Sequence, residues 1–192
     1  MEAKNILDCK NESEFRAWLE KHHSTEEECW VDCKRGKPTE GAFSYTDAVY
    51  VALSFGWIDS VYGIIDGIRM QRFSPRRKKS HWSQLNKERA RWLIEHDLMT
   101  EAGFDALPDD FDKEFKIGRA ILNRLKKDPE TWENFNSFPP LYQRIKIASI
   151  QKDKKDRKLY KKKLDTFLKN TKEGKMYGNW DDYGRLIKKI DR

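Results

Sequence analysis

The spacing of apolar residues changes along the chain and divides it into two parts. In the first part, segments with helical spacing alternate with strand-like runs, whereas the apolar residues beyond the acidic stretch Pro108–Asp112 recur only with helical spacing. The pattern predicts an α+β fold. An N-terminal domain over residues 1–108 has helices packed on a short antiparallel sheet or hairpin, and an all-α module with a basic C-terminal helix follows over residues 109–192, with the acidic stretch as the linker between them.

Two helices of the N-terminal domain are marked by capping boxes. Asn11 is followed three residues later by Glu14, and Ser44 is followed at the same spacing by Asp47. A side chain at the first position can accept from a backbone N–H at the second, so each pair predicts a helix start. The second of these helices is predicted to end at Gly56, because glycine is favoured just beyond a helix end.

The strand-like runs predict a hairpin and one further strand. Ile58–Ile65 and Ile68–Phe73 are joined by Asp66-Gly67, a dipeptide that favours the type I′ turn of a tight hairpin. Cys29–Lys34 alternates between apolar and polar residues and predicts a short strand.

The remaining helices are placed by caps and prolines. Ser80 or Ser83 is predicted to cap a helix that runs to about Glu95, and a short helix is predicted to follow Thr100 and reach Leu107. In the C-terminal module, helix starts are indicated by Ile117, Asp128-Pro129, Pro139-Pro140 and Asp156, and the last helix is predicted to end at Gly174.

Length and composition exclude several classes of protein. The chain has 192 residues, a mean hydropathy of −0.94 and no apolar run approaching the roughly 20 residues of a membrane-spanning helix. Glutamates interrupt every apolar stretch among the first thirty residues, so no secretory leader is predicted. An aromatic content of 12% argues against disorder, because disordered chains are poor in large apolar side chains.

The cysteines indicate a reducing compartment. The chain has three cysteines, Cys9, Cys29 and Cys33. Their odd number and their spacing fit neither a disulfide framework nor a zinc site. Cys29 and Cys33 share one face of the predicted strand and are interpreted as core-facing thiols; a metal site with His22 and His23 is the alternative. We expect a cytoplasmic protein without a metal or cofactor.

Charge is segregated along the sequence. The formal net charge of +7 is made up of −6 over residues 1–66, +7 over residues 67–96, −5 over residues 97–118 and +11 over residues 119–192. This pattern indicates either two basic surfaces that attract anionic partners or, as the interpretation that needs less, solvated helix faces.

Two separated motifs carry a resemblance to a known family. Residues 52–60 read ALSFGWIDS, and residues 73–83 read FSPRRKKSHWS, followed by Asn86-Lys87. In this order and spacing the motifs resemble the YdeI/OmpD-associated family, whose members are often called bacteriocin-protection proteins. The C-terminal module is similar to that family's helical module at residues 128–135 and 138–142, and the resemblance covers about residues 12–175.

The resemblance implies a modest set of properties. It implies an intracellular bacterial protein associated with protection against bacteriocins or other antimicrobial peptides, with no established reaction or cofactor. The chain departs from the family pattern where Ser149-Ile150 replaces the usual Trp-Ile, and it lacks the Thr-Arg pair expected near Leu159 and Tyr160.

The basic motif contains the elements of an anion site. Arg76 and Arg77 precede a predicted helix start, where free backbone N–H groups and the helix dipole favour negative charge. Asp59 can pair with either arginine, and tryptophans can wall the site or stack on a flat ligand. The predicted ligand-binding residues are Trp57, Asp59, Arg76, Arg77, Ser80, Trp82, Ser83 and Asn86. A structural role in the core, in a helix cap or in an ion pair remains the alternative for each.

Three functions stay open at this point. The first is a non-enzymatic protein that binds an anionic small molecule or an acidic protein surface in connection with antimicrobial-peptide tolerance. The second is a nucleic-acid-binding protein that uses the basic segment Lys152–Lys175. The third is an enzyme of small molecules centred on Asp59, with His81 as its orienting group, although the sequence contains no nucleophile elbow, phosphate loop, dinucleotide fingerprint or zinc-binding helix.

Overall fold

The chain forms two compact units. A computed structural model describes residues 3–77 and 80–187; Lys78 and Lys79 of the basic motif and residues 188–192 of the predicted C-terminal module lie outside the described residues. The first unit runs to Trp82 and includes Asn86–Phe111, and the second comprises Ser83–Leu85 and the chain from Asp112. The first unit contains a four-stranded sheet with helices and the second is helical, so the predicted α+β class is confirmed.

The sheet of the first unit has the strand order β1-β2-β4-β3. Its strands are β1 (Ile6–Leu7), β2 (Cys29–Val31), β3 (Trp57–Ile65) and β4 (Ile68–Pro75). The turn between β3 and β4 has positive φ at both Asp66 (49°) and Gly67 (82°), as a type I′ turn requires. The predicted hairpin is confirmed.

The sheet is mixed, and this was not predicted. β1 pairs with β2 in parallel, whereas β2, β4 and β3 are antiparallel neighbours. With only two residues, β1 is too short to show the alternation from which a strand is inferred. β2 is also shorter than predicted: it ends at Val31, and Lys34 instead forms an isolated parallel bridge with Ser44.

A buried glutamine stabilises an irregularity in the hairpin. The β3–β4 register shifts between Asp59 and Tyr62, as in a β-bulge. Gln71 is fully buried opposite this shift; its amide donates to the carbonyls of Val61 (3.0 Å) and Arg72 (3.1 Å), and its oxygen accepts from Arg35. Gln71 thus satisfies a carbonyl that the irregular ladder leaves open.

The capped helices lie where the sequence predicts them. α1 (Glu12–His22) begins after Asn11, whose side chain accepts from the N–H of Glu14 at 2.9 Å, while the Glu14 carboxylate accepts from the N–H of Lys10. α2 (Tyr45–Ser54) begins after Ser44, which accepts from the N–H of Asp47 at 3.1 Å. α2 is almost entirely buried and packs with α1 and the sheet around Phe15, Trp57 and Phe73.

Two more helices complete the first unit, α3 (Gln84–Glu95) and α4 (Glu101–Asp105). Two glycines permit close approach of α4 to the end of α2. Gly56 has φ +72°, and a Cβ there would lie 2.7 Å from the carbonyl oxygen of Ala102; a Cβ on Gly103 would lie 2.3 Å from the carbonyl oxygen of Ser54. That same oxygen accepts from the N–H of Thr100 at 3.1 Å.

The predicted linker contacts α3 at Asp110 and Phe111. Lys87 pairs with Asp110 at 2.8 Å. Arg91 donates to the carbonyl of Phe111 at 2.6 Å, and its guanidinium lies 4.8 Å from the ring centroid of that buried phenylalanine. The acidic stretch therefore contributes to the first unit rather than only connecting the two.

Within residues 112–187, the second unit packs four helices around an aromatic core. They are α5 (Arg119–Leu125), α6 (Pro129–Ser137), α7 (Pro140–Gln151) and α8 (Arg157–Lys172). Asp128 caps α6 through the N–H of Thr131, with Pro129 at the first helical position as predicted. Phe135, Tyr142 and Phe167 are at most 2% exposed in the core.

The thiols of Cys29 in β2 and of Cys33, two residues after it, lie in the core. Cys29 and Cys33 are buried, which raises the pKa of Cys33 to about 12 and that of Cys29 further. Among residues 3–77 and 80–187, the cysteine, histidine and acidic side chains form no group suited to a metal ion. No helix in these ranges combines the length and apolar character that a membrane span requires.

Candidate functional site

The hairpin brings the two sequence motifs together. Trp57, the first residue of β3, pairs with Pro75 at the end of β4. One residue further, the backbone N–H of Arg76 donates to the carbonyl of Gly56 at 2.9 Å. The tight turn that Gly56 allows after α2 therefore fixes the backbone of Arg76 beside Trp57.

A hollow of about 930 Å³ opens at this junction. Five of the eight predicted site residues line it, namely Trp57, Arg76, Arg77, Ser80 and Trp82. α4 and the segment after it form another part of the wall, through side chains that include Ala102, Asp105 and Leu107. The volume lies within the range of about 300–1,000 Å³ that is typical of small-molecule sites.

The Arg76 guanidinium has donors without acceptors. Its Cζ lies 3.8 Å from the ring centroid of Trp82, so it covers the face of the indole. Its Nε and Nη2 atoms are buried and have no hydrogen-bond partner among residues 3–77 and 80–187. Burial lowers the pKa of Arg76 to about 10, although the charge of Asp59 acts in the opposite direction.

The two tryptophans are structural as well as wall-forming. Trp57 is 1% exposed, its indole N–H donates to the carbonyl of His23 at 3.2 Å, and its ring meets Trp18 edge-on. Trp82 is also buried, with Arg76 on its face. Neither ring is exposed as a stacking surface: both shape the hollow, and Trp82 also orients the guanidinium.

Asp59 occupies a different position from the one predicted. Its carboxylate accepts from the Tyr45 hydroxyl at 2.7 Å, and within the described chain it neither pairs with Arg76 or Arg77 nor lines the hollow. The pairing fails because β3 directs this side chain towards Tyr45 at the start of α2. The predicted orienting partner of Asp59, His81, does line the hollow, so the two residues do not share the site.

The serines and the asparagine divide in the same way. Ser80 lines the hollow, and its N–H donates to the carbonyl of Arg77 at 3.0 Å. Because α3 begins at Gln84, Ser83 rather than Ser80 stands at the capping position. Asn86 accepts from Arg89 at 2.9 Å, and neither Ser83 nor Asn86 lines the hollow.

Sequence reasoning missed the acidic side of the site. Asp105, Asp109 and Asp110 line the hollow together with the arginines. Asp109 and Asp110 belong to the acidic stretch that the sequence predicts as a linker, and Asp105 belongs to the short helix predicted before it. Only the close approach of α4 at Gly56 and Gly103 makes these residues part of the wall, and that contact leaves no periodic pattern in the sequence.

A second cationic feature lies on the outer face of α8. Arg157, Lys158, Lys161 and Lys162 are exposed, and none forms an ion pair within the described ranges. Other cations of the same unit are paired, such as Lys163 with Asp153 at 2.5 Å. The exposed residues therefore form a basic strip on the first half of the helix.

Two family models match the chain, one in each unit. The model described as a domain of unknown function (DUF8412) matches residues 7–106. The model described as bacteriocin-protection, YdeI or OmpD-associated matches residues 114–174. The resemblance inferred from the motifs extended into the N-terminal domain, where it is the first of these models that matches. No curated protein and no solved structure matches the chain.

Proposed function

We propose that this chain, which belongs to the DUF8412 family through its N-terminal domain and to the YdeI/OmpD-associated family through its C-terminal domain, is a non-enzymatic binding protein. Its site is the hollow beside Arg76, and its ligand carries an anionic group. Binding at this site contributes to tolerance of bacteriocins or other antimicrobial peptides.

The observation that carries this proposal is the state of the Arg76 guanidinium. Among the described residues, two of its nitrogens are buried without an acceptor, and Arg76 is one of the residues that line an open hollow. A buried N–H that lacks a partner costs about 1–3 kcal/mol, so a carboxylate or phosphate oxygen placed there relieves a penalty as well as adding a charge-assisted hydrogen bond. Arg77 is exposed at the same wall and adds a second positive charge.

The binding test compares the effects of replacing Arg76 and Arg69 on the affinity for anions. Inorganic phosphate and caproate are titrated into the protein and followed by NMR shifts of the β3–β4 backbone. Arg76→Gln is expected to weaken binding at least about tenfold, the loss of one charge-assisted hydrogen bond. Arg69→Gln is the control, because Arg69 is exposed on β4 and does not line the hollow. Equal affinities for the parent protein and Arg76→Gln would refute an anion site at Arg76.

The role in tolerance is tested in cells. Bacteria that express the parent chain are compared with bacteria that express Arg76→Ala with Arg77→Ala, at equal protein levels, for survival in a bacteriocin or a cationic antimicrobial peptide. We expect the double variant to lose the protection. Unchanged survival would separate the binding site from peptide tolerance, and Arg69→Ala controls for the change in charge.

A second candidate function is nucleic-acid binding by the basic strip of α8. The specific observation is its four exposed cations, which form no ion pair with the residues that the structure describes; such cations can each replace a counterion of a phosphate backbone. Anisotropy of a labelled DNA duplex is measured at rising salt for the parent and for the triple variant Lys158→Gln, Lys161→Gln and Lys162→Gln.

The salt dependence decides this candidate. Each lost phosphate contact lowers the slope of log affinity against log salt by about 0.9, so the triple variant is expected to lose about 2 to 3 in slope. Lys127→Gln, an exposed lysine between α5 and α6, is the control. Absence of DNA binding at low salt, or an unchanged slope in the triple variant, would eliminate this function.

A further inference from the structure

The hollow in the first unit carries charges of both signs, and the opposite charges come from different segments. Arg76 and Arg77 follow the end of β4, whereas Asp105 ends α4 and Asp109 lies in the stretch after it. All four line the same hollow. The site is therefore not a uniformly basic cleft.

The acidic side is available to a ligand. Asp110 is engaged with Lys87 at 2.8 Å. Asp105 and Asp109 are exposed, and neither forms an ion pair with any residue in the described part of the chain. Two unpaired carboxylates thus line the same hollow as Arg76, whose buried Nε and Nη2 have no acceptor among the described residues.

The wall shared by these charges is apolar. Trp57, Leu107 and Pro108 line the hollow together with Ala102 of α4 and Ala106 just after it. An aliphatic or aromatic body fits against such a wall, because removing apolar surface from water contributes about 25 cal/mol per Å². The wall, the guanidinium and the carboxylates together specify a ligand with an apolar middle and two charged groups.

We infer that the ligand of this hollow is zwitterionic, with a carboxylate or phosphate group held by Arg76 and an ammonium group held by Asp105 and Asp109. This inference rests on the proposed anion site and names the class of molecule that the site takes: an amino acid, a short peptide or another amine-bearing anion. Ligands with several negative charges and no amine are disfavoured, because the two aspartates repel them.

The experiment separates the two ends of the ligand. The probes are ω-amino carboxylates of increasing chain length, each compared with the carboxylate of the same length that lacks the amine and with the matching alkylamine. Affinities are measured by NMR titration of the full chain. At the chain length that spans the hollow, the zwitterion is expected to bind about tenfold more tightly than the simple carboxylate. The gain comes from the two charge pairs of its ammonium group with Asp105 and Asp109, both of which are partly exposed to solvent.

Variants assign each end. Asp105→Asn with Asp109→Asn is expected to abolish the preference for the zwitterion while leaving the affinity for the simple carboxylate unchanged or higher. Arg76→Gln is expected to weaken both probes. Glu101→Gln is the matched control, because Glu101 is an exposed acid of α4 that does not line the hollow.

The outcomes distinguish the inference from the proposal beneath it. If every zwitterion binds no better than its parent carboxylate, and the double asparagine variant changes nothing, the inference is wrong and the anion site stands. If neither class of probe binds, or Arg76→Gln leaves both affinities unchanged, the anion site itself is wrong. A preference that persists in the double variant would place the ammonium group away from Asp105 and Asp109 and would also overturn the inference.

Discussion

Replacing Arg76 with methionine is expected to stabilise the first unit. Methionine keeps an apolar contact with the face of Trp82 and removes the buried N–H groups that lack acceptors. A residue that holds the fold together would show the opposite effect. The substitution therefore separates a structural arginine from one that is kept for a ligand.

The magnitude follows from the pKa of the guanidinium. Burial lowers the pKa of Arg76 to about 10. At about 1.36 kcal/mol per pH unit, the charged form is destabilised by at most about 3 kcal/mol. Because Arg76 is only half-buried, solvent screening reduces this to on the order of 1–2 kcal/mol, and loss of the cation–π contact removes about 0.5–1 kcal/mol. The net gain in the free energy of unfolding is about 1 kcal/mol.

The assay isolates the first unit. Urea unfolding is followed by hydrogen exchange of peptides from β3 and β4, so that the second unit does not contribute to the measurement. Arg69→Met, at an exposed position on β4, is expected to change stability by less than about 0.5 kcal/mol. A loss of 1 kcal/mol or more in Arg76→Met would refute the reasoning and make Arg76 a structural residue.

Three further predictions follow from packing and burial. Gly103→Ala should lower the free energy of unfolding of the first unit by about 1–3 kcal/mol in urea, although alanine has the higher helix propensity, because its Cβ would meet the carbonyl of Ser54. Gly63→Ala is the control, since a Cβ there would make only ordinary van der Waals contacts. A stabilised Gly103→Ala variant would contradict the close approach of α4 to the end of α2. Burial lowers the pKa of Lys146 to about 8. Between about pH 8 and 10.5 the folded state has therefore lost this proton while the unfolded state still keeps it, so the free energy of unfolding of the parent protein rises with pH over that window. Lys146→Met should accordingly raise the melting temperature at pH 7 and gain less at pH 10; a difference independent of pH would count against it. Cys29 and Cys33 should resist iodoacetamide in the native protein at pH 8 and react in urea, as mass spectrometry can measure; rapid native labelling would show that they are not in the core.

Local features of the fold could be predicted from the sequence because their causes lie within a few residues. The side chains of Asn11 and Ser44 accept from N–H groups three positions away, and the positive φ angles of Asp66 and Gly67 are a property of that dipeptide. Each of these predictions is confirmed. The α+β class follows from the same kind of information.

Features that depend on distant contacts could not be predicted. Asp59 binds Tyr45 rather than an arginine, because its direction is set by the strand and by the position of α2. The acidic lining at Asp105 and Asp109 depends on how closely Gly56 and Gly103 allow α4 to approach α2. The prediction of Arg76, Arg77 and Ser80 as one group rested on their nearness in sequence, and the structure brings Trp57 to them through the pairing of β3 with β4.

The stacking of Arg76 on Trp82 has a practical consequence, because it equips the hollow with an optical reporter of its own. Emission from an indole responds to a charge lying on its face, so a molecule that draws the guanidinium away from the ring should alter the fluorescence of Trp82 without any added dye. Subtracting the spectrum of Trp82→Phe isolates this signal from the other six tryptophans of the chain. Compound collections can then be screened by light emission alone, before any candidate ligand has been identified.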